Sequence, residues 1–366
     1  MVDLQQSFDC EMRRIVAEYN LDFSKIAVGV SGGADSLALV FLLHNYIKNN
    51  GGELYALTVN HHLRPEADDE TKYVADLLAK NKIKHKVLHW EHEPVQSGME
   101  NKARQARYEL MFAWCKQNRC KILMTAHHMR DQAETFLMRL QRGSGVDGLA
   151  SMAVVSPRED ILIVRPLLNF SPEELRKFLQ DKNINWCEDA SNFCDDFLRV
   201  RVRKMLPKLE KELGLTVQKI ASAAVALNEA REYFSEQVAS FIKNRCRLWY
   251  GVAWSFAPLM FALLHREIQV RVLAELIKNT AKIDYAPEYS SLIRLAKQLV
   301  KKDFAGATLG SCEFVKYNNR LWVVPEIQDD RVLSKSEWSE FVDKNSKINA
   351  NGIPYKLKLY LVRKSG

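Results

Sequence analysis

The sequence predicts an α/β protein: a doubly wound, mostly parallel sheet with helices on both faces, followed by a mainly helical domain carrying a small β hairpin. Three observations predict it. From Lys25 to Gln141 short apolar runs alternate with longer helical patterns, which is how βαβ units read in sequence. A paired-glycine turn, Gly32-Gly33, joins the first apolar run to the first helical pattern. Beyond Pro207 the chain turns to nearly continuous helix, until Asn318-Asn319 separates two short apolar runs in the manner of a tight hairpin.

In order, residues 25–30 read as a strand, 34–47 as a helix, 53–59 as a strand, 66–81 as a helix and 84–90 as a strand. A long helix over 98–118, a strand over 121–126 and a helix over 131–141 complete the alternation. Strands joined by helices of this length run parallel and are buried on both faces, and ligands of such sheets lie beyond the strand C-termini. At Arg165-Pro166-Leu167-Leu168 the chain leaves the sheet. Ser171-Pro172-Glu173-Glu174 then supplies an N-cap, a first-position proline and an acidic first turn, starting a helix that runs to about Asp181. Helices follow at roughly 215–246, 256–277 and 287–300, and hairpin strands at 312–317 and 320–324. The expected division is a domain over 1–207, a second over 208–330, and a short or truncated C-terminal element over 331–366.

The 366 residues carry 53 Lys and Arg against 45 Asp and Glu, with 47% hydrophobic residues, so the chain is no disordered polyelectrolyte. Residues 199–248 carry a net +6 and residues 331–366 a net +5 out of the total of +8. The positive surplus therefore lies where the chain leaves the first domain and in the tail, and these are the places to grip a phosphate backbone. No apolar stretch approaches the roughly 20 residues needed to cross a bilayer, and nothing at the N-terminus reads as a secretory signal. A cytoplasmic protein without a membrane partner is expected. The seven cysteines form no Cys-x-x-Cys pair and read as small buried hydrophobes rather than a disulfide scaffold or zinc ribbon.

The chemistry concentrates in five segments. Val28-Gly29-Val30-Ser31-Gly32-Gly33-Ala34-Asp35-Ser36 places paired glycines at a strand-to-helix junction, where backbone N–H groups and the positive helix end converge on a phosphate. The Lys-Ser/Thr ending of mononucleotide loops and the spaced glycines of dinucleotide loops are both missing. Instead Asp35 supplies a carboxylate for Mg²⁺ and Ser36 a hydroxyl for a phosphate oxygen. Asn60-His61-His62-Leu63-Arg64 follows the second strand, where a nucleotide's base or ribose would lie; a His-His pair by itself also reads as an ordinary loop feature. On the long helix, Arg104, Arg107 and Tyr108 share a face; the two guanidiniums are spaced to clamp phosphate or to form a solvated face. Thr125-Ala126-His127-His128-Met129-Arg130-Asp131-Gln132-Ala133-Glu134-Thr135 spans a strand end and a helix start. Finally, Glu188-Asp189-Ala190-Ser191-Asn192 precedes the basic run Arg199-Val200-Arg201-Val202-Arg203-Lys204.

The Ser-Gly-Gly-x-Asp-Ser loop resembles that of the PP-loop ATP pyrophosphatases, and the ordered set of segments resembles the tRNA(Ile)-lysidine synthase family over about residues 25–207, more faintly to the hairpin. This resemblance implies an adenine nucleotide alpha hydrolase-like PP-loop domain that uses ATP and Mg²⁺. It implies L-lysine and the minor isoleucine tRNA with a CAU anticodon as partners, joined as lysidine at C2 of the wobble cytidine through an adenylated intermediate; a homodimer is left open. Carried over residue by residue, it gives Ser31, Gly32, Gly33, Ala34, Asp35, Ser36, Asn60, His61 and His127 to ATP, and Asp35 to Mg²⁺. Asp35, Arg107, Asp131 and Glu134 become catalytic, the latter two carboxylates holding and deprotonating lysine. Arg104, Arg199, Arg201, Arg203 and Lys204 are assigned to tRNA. Two positions depart from the pattern: Arg130 stands where the family has an acidic residue, and Val200 where it has asparagine. Arg130 motivates one alternative, a catalytically impaired paralogue that still binds tRNA. A PP-loop tRNA thiolase is another, although Cys115 and Cys120 lie five residues apart and Cys187 and Cys194 seven apart, neither a cluster spacing. In the helical domain Trp249, Tyr250, Trp254 and Phe256 read as core, and the resemblance suggests that this region helps recognise the tRNA acceptor stem or body.

Overall fold

The computed structural model describes residues 3–62, 66–91, 99–187, 198–327, 335–344 and 353–364. The chain divides into two compact units, Met1–Arg231 and Glu232–Gly366. The first contains α1 (Leu4–Tyr19), β1 (Lys25–Gly29), α2 (Ala34–Asn50), β2 (Glu53–Asn60), α3 (Glu66–Lys80), β3 (Lys84–His89) and α4 (Met99–Gln117). It continues with β4 (Ile122–Met124), α5 (Met129–Gln141), α6 (Val146–Leu149), β5 (Val155–Arg158), β6 (Ile161–Val164), α7 (Pro172–Asp181), α8 (Leu198–Leu213) and the start of α9 (Val217–Arg245). The line between the units thus falls within α9, and Pro207, near which the boundary is expected from sequence, lies inside α8.

The sheet order is β3-β2-β1-β4-β6-β5, parallel throughout except for the antiparallel edge strand β5. The doubly wound sheet expected from sequence is found, and its order reverses between β1 and β4, the point at which such sheets open a crevice. β1 is buried on both faces: Ile26 and Val28 pack in the cluster that holds α1, α2 and α7, whereas Ala27 packs with Met111 and Cys115 of α4. Two features were not anticipated from sequence. α1 adds Phe8, Met12 and Ile15, all fully buried, to the first cluster, and the β5–β6 hairpin extends the sheet. The capping signals before α7 act as expected: Ser171 and Glu174 form a reciprocal capping box with Pro172 in the first turn.

The second unit contains β7 (Cys246–Trp249), β8 (Ala253–Phe256), α10 (Pro258–Ala262), α11 (Arg266–Ala281), α12 (Tyr289–Leu299), β9 (Ala307–Leu309), β10 (Cys312–Tyr317), β11 (Arg320–Pro325), α13 (Lys335–Lys344) and α14 (Tyr355–Lys364). The expected hairpin is β10–β11, and Asn318 and Asn319 both adopt positive φ (47° and 56°), as a two-residue type I′ turn requires. It belongs to a five-stranded antiparallel sheet ordered β7-β8-β11-β10-β9. The segment 256–277 is not one helix: β8 ends at Phe256 and the main helix begins at Arg266. Phe314, Val323 and Phe256 pack with α11 and α12, while Trp322 and Val324 pack with Leu357 of α14 and Phe341 of α13. Trp249 lies 5.0 Å from Trp322, so the aromatics near residue 250 build core, as read from sequence. Among the described residues no helix is long and apolar enough to cross a membrane.

Candidate active site

Two loops meet at the switch point. The first leaves β1 at Ser31-Gly32-Gly33. Gly32 adopts φ +88°, and a Cβ there would lie 3.1 Å from Val74 Cγ2 and 3.5 Å from Cys187 Sγ, so conformation and space both demand glycine. The Cys187 amide donates to Gly32 O at 2.9 Å. Ser36 Oγ donates to Gly33 O at 2.9 Å and accepts from Ser31 N at 3.1 Å, so this hydroxyl closes the loop on itself rather than projecting outward. Gly33 caps α2 without a side chain, which leaves the first turn's N–H groups and the positive helix end to an anion.

The second loop follows β4. His128 is the N-cap of α5 and forms a capping box with Asp131: the His128 amide donates to Asp131 Oδ2 at 3.0 Å, and the Asp131 amide donates to His128 Nδ1 at 3.4 Å. The other ring nitrogen, Nε2, lies 3.4 Å from Asp35 Oδ2 and joins the two loops. Burial works against a charge on His128, but Asp35, Asp131 and Glu134 outweigh it and raise its pKa. Burial likewise works against ionisation of Asp131, and His128 and Arg199 outweigh it, holding this carboxyl below its usual range. Asp35 Oδ1 is buried without a hydrogen-bond partner. His127 bonds Thr125 Oγ1 through Nδ1 at 2.9 Å, and burial, reinforced by Arg165, Arg104 and Arg199 against the pull of Asp131, lowers it to about 4.

Glu134, one turn along α5 from Asp131, is fully buried. Arg199 Nε reaches its Oε2 at 2.7 Å and Arg203 Nε its Oε1 at 2.8 Å, while Arg199 Nη2 reaches Asp131 Oδ1 at 2.9 Å. Arg199 and Arg203, expected on tRNA, are four residues apart on the inward face of α8, and Glu134, expected beside lysine, is enclosed by them. Arg201 and Lys204 are exposed, in line with exposed Lys208 and Lys211. Arg130 turns to Glu173 of α7 at 2.5 Å, and Val200 is buried.

At the rim, Asn60 is buried, donating to Asp68 Oδ1 at 2.6 Å and accepting from the His62 amide at 2.9 Å. His61 packs edge-on to Trp90 at 5.5 Å and meets Arg107 Nε at 3.3 Å, so two expected site residues from different elements come together. Arg104 is exposed and lies over the Tyr108 ring at 5.4 Å. Leu63, Arg64 and the segment Glu188-Asp189-Ala190-Ser191-Asn192 lie outside the described residues. His128 was not expected as the residue that joins the two loops; it had a signal, a capping-type residue three before Asp131 at a helix start.

A glycine turn bearing a carboxylate, faced across the switch point by a His-His-x-x-Asp helix start, defines a nucleotide-using enzyme of the PP-loop class. The sequence profile described as the PP-loop domain matches residues 4–210, which implies use of ATP. The tRNA(Ile)-lysidine synthase of Wolbachia pipientis wMel is 38% identical over 307 residues, covering 83% of this chain and 71% of that protein. That of Wolbachia sp. subsp. Brugia malayi (strain TRS) is 33% identical, covering 87% and 74%. The chain belongs to the tRNA(Ile)-lysidine synthase family. Among solved structures, the U34-tRNA thiolase NcsA from Methanococcus maripaludis matches with a TM-score of 0.53 at 19% identity over 61% of this chain and 79% of that one, a likeness of fold.

Proposed function

We propose that this chain ligates free lysine to C2 of the wobble cytidine in the minor isoleucine tRNA with a CAU anticodon, in the cytoplasm, consuming ATP and giving lysidine, AMP and pyrophosphate. The observation that carries the reading is the 3.4 Å approach of Asp35, on the phosphate loop, to His128 at the head of the helix bearing Asp131. It brings a phosphate-binding turn and an amine-binding carboxylate to one crevice.

In the first step the cytosine C2 oxygen attacks the α-phosphate and the bond to pyrophosphate breaks. The loop N–H groups and the α2 terminus stabilise charge on the phosphate oxygens, and exposed Arg107, steadied by His61, adds a guanidinium. The buried, unpartnered Asp35 Oδ1 suits Mg²⁺, which takes one or two carboxylates together with substrate phosphates. When bound there, the ion neutralises phosphate charge. Asn60, His61 and His127 line the remaining nucleotide side.

In the second step the lysine ε-amine attacks C2, the C2–O bond breaks and AMP leaves with the oxygen. Asp131, held ionised by Arg199 and His128, binds the incoming ammonium and takes its proton. Glu134 acts at one remove, fixing α5 through Arg199 and Arg203. Arg104, Arg201 and Lys204 present exposed charge to the tRNA backbone. The Arg130 departure is compatible with activity, because its guanidinium is paired with Glu173.

The test is to incubate the protein with the isoleucine tRNA transcript, ATP and lysine, and to weigh the wobble nucleoside. Lysidine is expected; unchanged cytidine would favour the impaired paralogue, and a thiolated base the thiolase.

A further inference from the structure

Beside the crevice the first unit holds a cavity that the reaction proposed above does not use. It has a volume of about 280 Å³ and is lined by Met129, Asn169, Gln218, Ala221, Ser222 and Val225. Met129 is the first residue of α5, Asn169 precedes α7, and the other four fall at three- and four-residue spacings on one face of α9. The Met129 amide donates to Phe170 O at 3.0 Å, which ties the α5 wall to the Asn169 wall.

The lining selects a kind of ligand. No side chain in it is charged, so a phosphate, an ammonium or a carboxylate would lose hydration there without gaining a counter-ion. Val225 is left 43% exposed and Met129 half-buried, which offers an apolar wall and a polarisable sulfur. Asn169 Nδ2 turns to Glu11 Oε1 at 3.4 Å, whereas the Gln218 amide and the Ser222 hydroxyl make no side-chain hydrogen bond to a described residue. An unbonded amide beside an apolar wall fits a flat, neutral group with a donor and an acceptor on one edge, which describes a nucleobase. The volume lies under the roughly 300 Å³ at which pockets for whole ligands begin, and so suits a base rather than a nucleotide.

Position says which base. His128 and Met129 are consecutive at the head of α5: His128 turns to the phosphate loop, 3.4 Å from Asp35 Oδ2, and Met129 turns to α9. A base in the cavity therefore lies off the phosphate loop and is not the one that reacts. The cavity begins one residue from the crevice, which suits the neighbour of the wobble nucleotide. In a CAU anticodon the nucleotide 3′ of the wobble cytidine is an adenosine, and adenine is the base whose N6 donor and N7 acceptor a glutamine amide matches with two bonds.

We propose that the cavity receives the adenine 3′ of the wobble cytidine, unstacked from the anticodon, with Gln218 Oε1 accepting from N6, Gln218 Nε2 donating to N7, and Met129 and Val225 packed against the ring. This deepens the reading above and rests on it.

The test compares wild type with Gln218→Leu on the isoleucine tRNA carrying, 3′ of the wobble cytidine, either adenosine or 7-deazaadenosine, which lacks the N7 acceptor. Gln218 is exposed in the first turn of α9, so its replacement spares the fold. With wild type, 7-deazaadenosine is expected to raise the tRNA KM about 10-fold, the scale of a lost base-edge contact. Gln218→Leu should raise it by at least as much with adenosine and no further with 7-deazaadenosine, while the KM values for ATP and lysine stay at wild-type values. Losses that multiply, an unchanged tRNA KM in either arm, or an ATP KM that rises in step with the tRNA KM would overturn the assignment. A wild-type protein that forms no lysidine would instead sink the reaction on which it rests.

Discussion

At the scale of single residues, the site depends on a few groups whose surroundings set their charge. The Asp35 side chain is 37% exposed, and its Oδ1 is buried without a partner, an acceptor that the fold does not use. Asp35→Ala is expected to abolish pyrophosphate release while tRNA affinity, measured by filter binding, stays within about 2-fold, since no phosphate-backbone contact is lost. His127 makes a prediction about pH. Its pKa falls from 6.5 to about 4 on folding, so the unfolded chain takes up the proton first. The stability from keeping this ring neutral is complete above pH 6.5 and declines between pH 6.5 and 4. His127→Gln should flatten the pH dependence of urea unfolding in that window by about 1–3 kcal/mol; an unchanged slope would show that the ring is not held neutral. The residue types at this scale were largely legible, because a glycine turn followed by Asp-Ser admits few uses. Their partners were not: nothing local says that Ser36 bonds its own loop or that His128 spans from Asp131 to Asp35.

Among elements, the decisive contact is α5 on α8. Asp131 and Glu134 at i and i+3 on one helix face Arg199 and Arg203 at i and i+4 on the other, and Leu206, Ile220 and Ala133 pack beside them. Removing Glu134 takes away a buried carboxylate shared by two guanidiniums, of which Arg199 keeps Asp131, so Glu134→Ala should destabilise the fold by about 3–5 kcal/mol in chemical denaturation. The opposite face of α8 is different: Arg201, Lys204, Lys208 and Lys211 recur at three- and four-residue intervals and are exposed. Neutralising Arg201 and Lys204 together should lower tRNA affinity and reduce its salt slope by about 2, with the ATP KM unchanged. The basic run was visible in sequence as a patch of charge. Which arginines turn in is decided by where α5 places its carboxylates.

For the molecule as a whole, two cores serve two units. Trp322 is 1% exposed, packs against the tilted ring of Trp249 and donates Nε1–H to Tyr317 O at 3.2 Å. Trp322→Ala should cost the second unit about 3–5 kcal/mol and leave ATP binding by the first unit at its wild-type value; a parallel loss of both would mean that the two cores unfold as one. Element existence was legible in the first unit because β-to-α alternation is a strong periodic signal. In the second, β7, β8 and β9 are three- or four-residue strands, too short to declare a period against the helices around them.

The sequence by itself determined the parallel sheet, the phosphate loop, the hairpin turn at Asn318-Asn319 and the family to which the chain belongs, because each is written in adjacent residues with few alternative uses. Packing in three dimensions settles that Glu134 is enclosed by Arg199 and Arg203 and that Arg130 is paired with Glu173. Charge pairing is a property of distance in space, and residues 65 positions apart, such as Glu134 and Arg199, acquire it only once helices are packed.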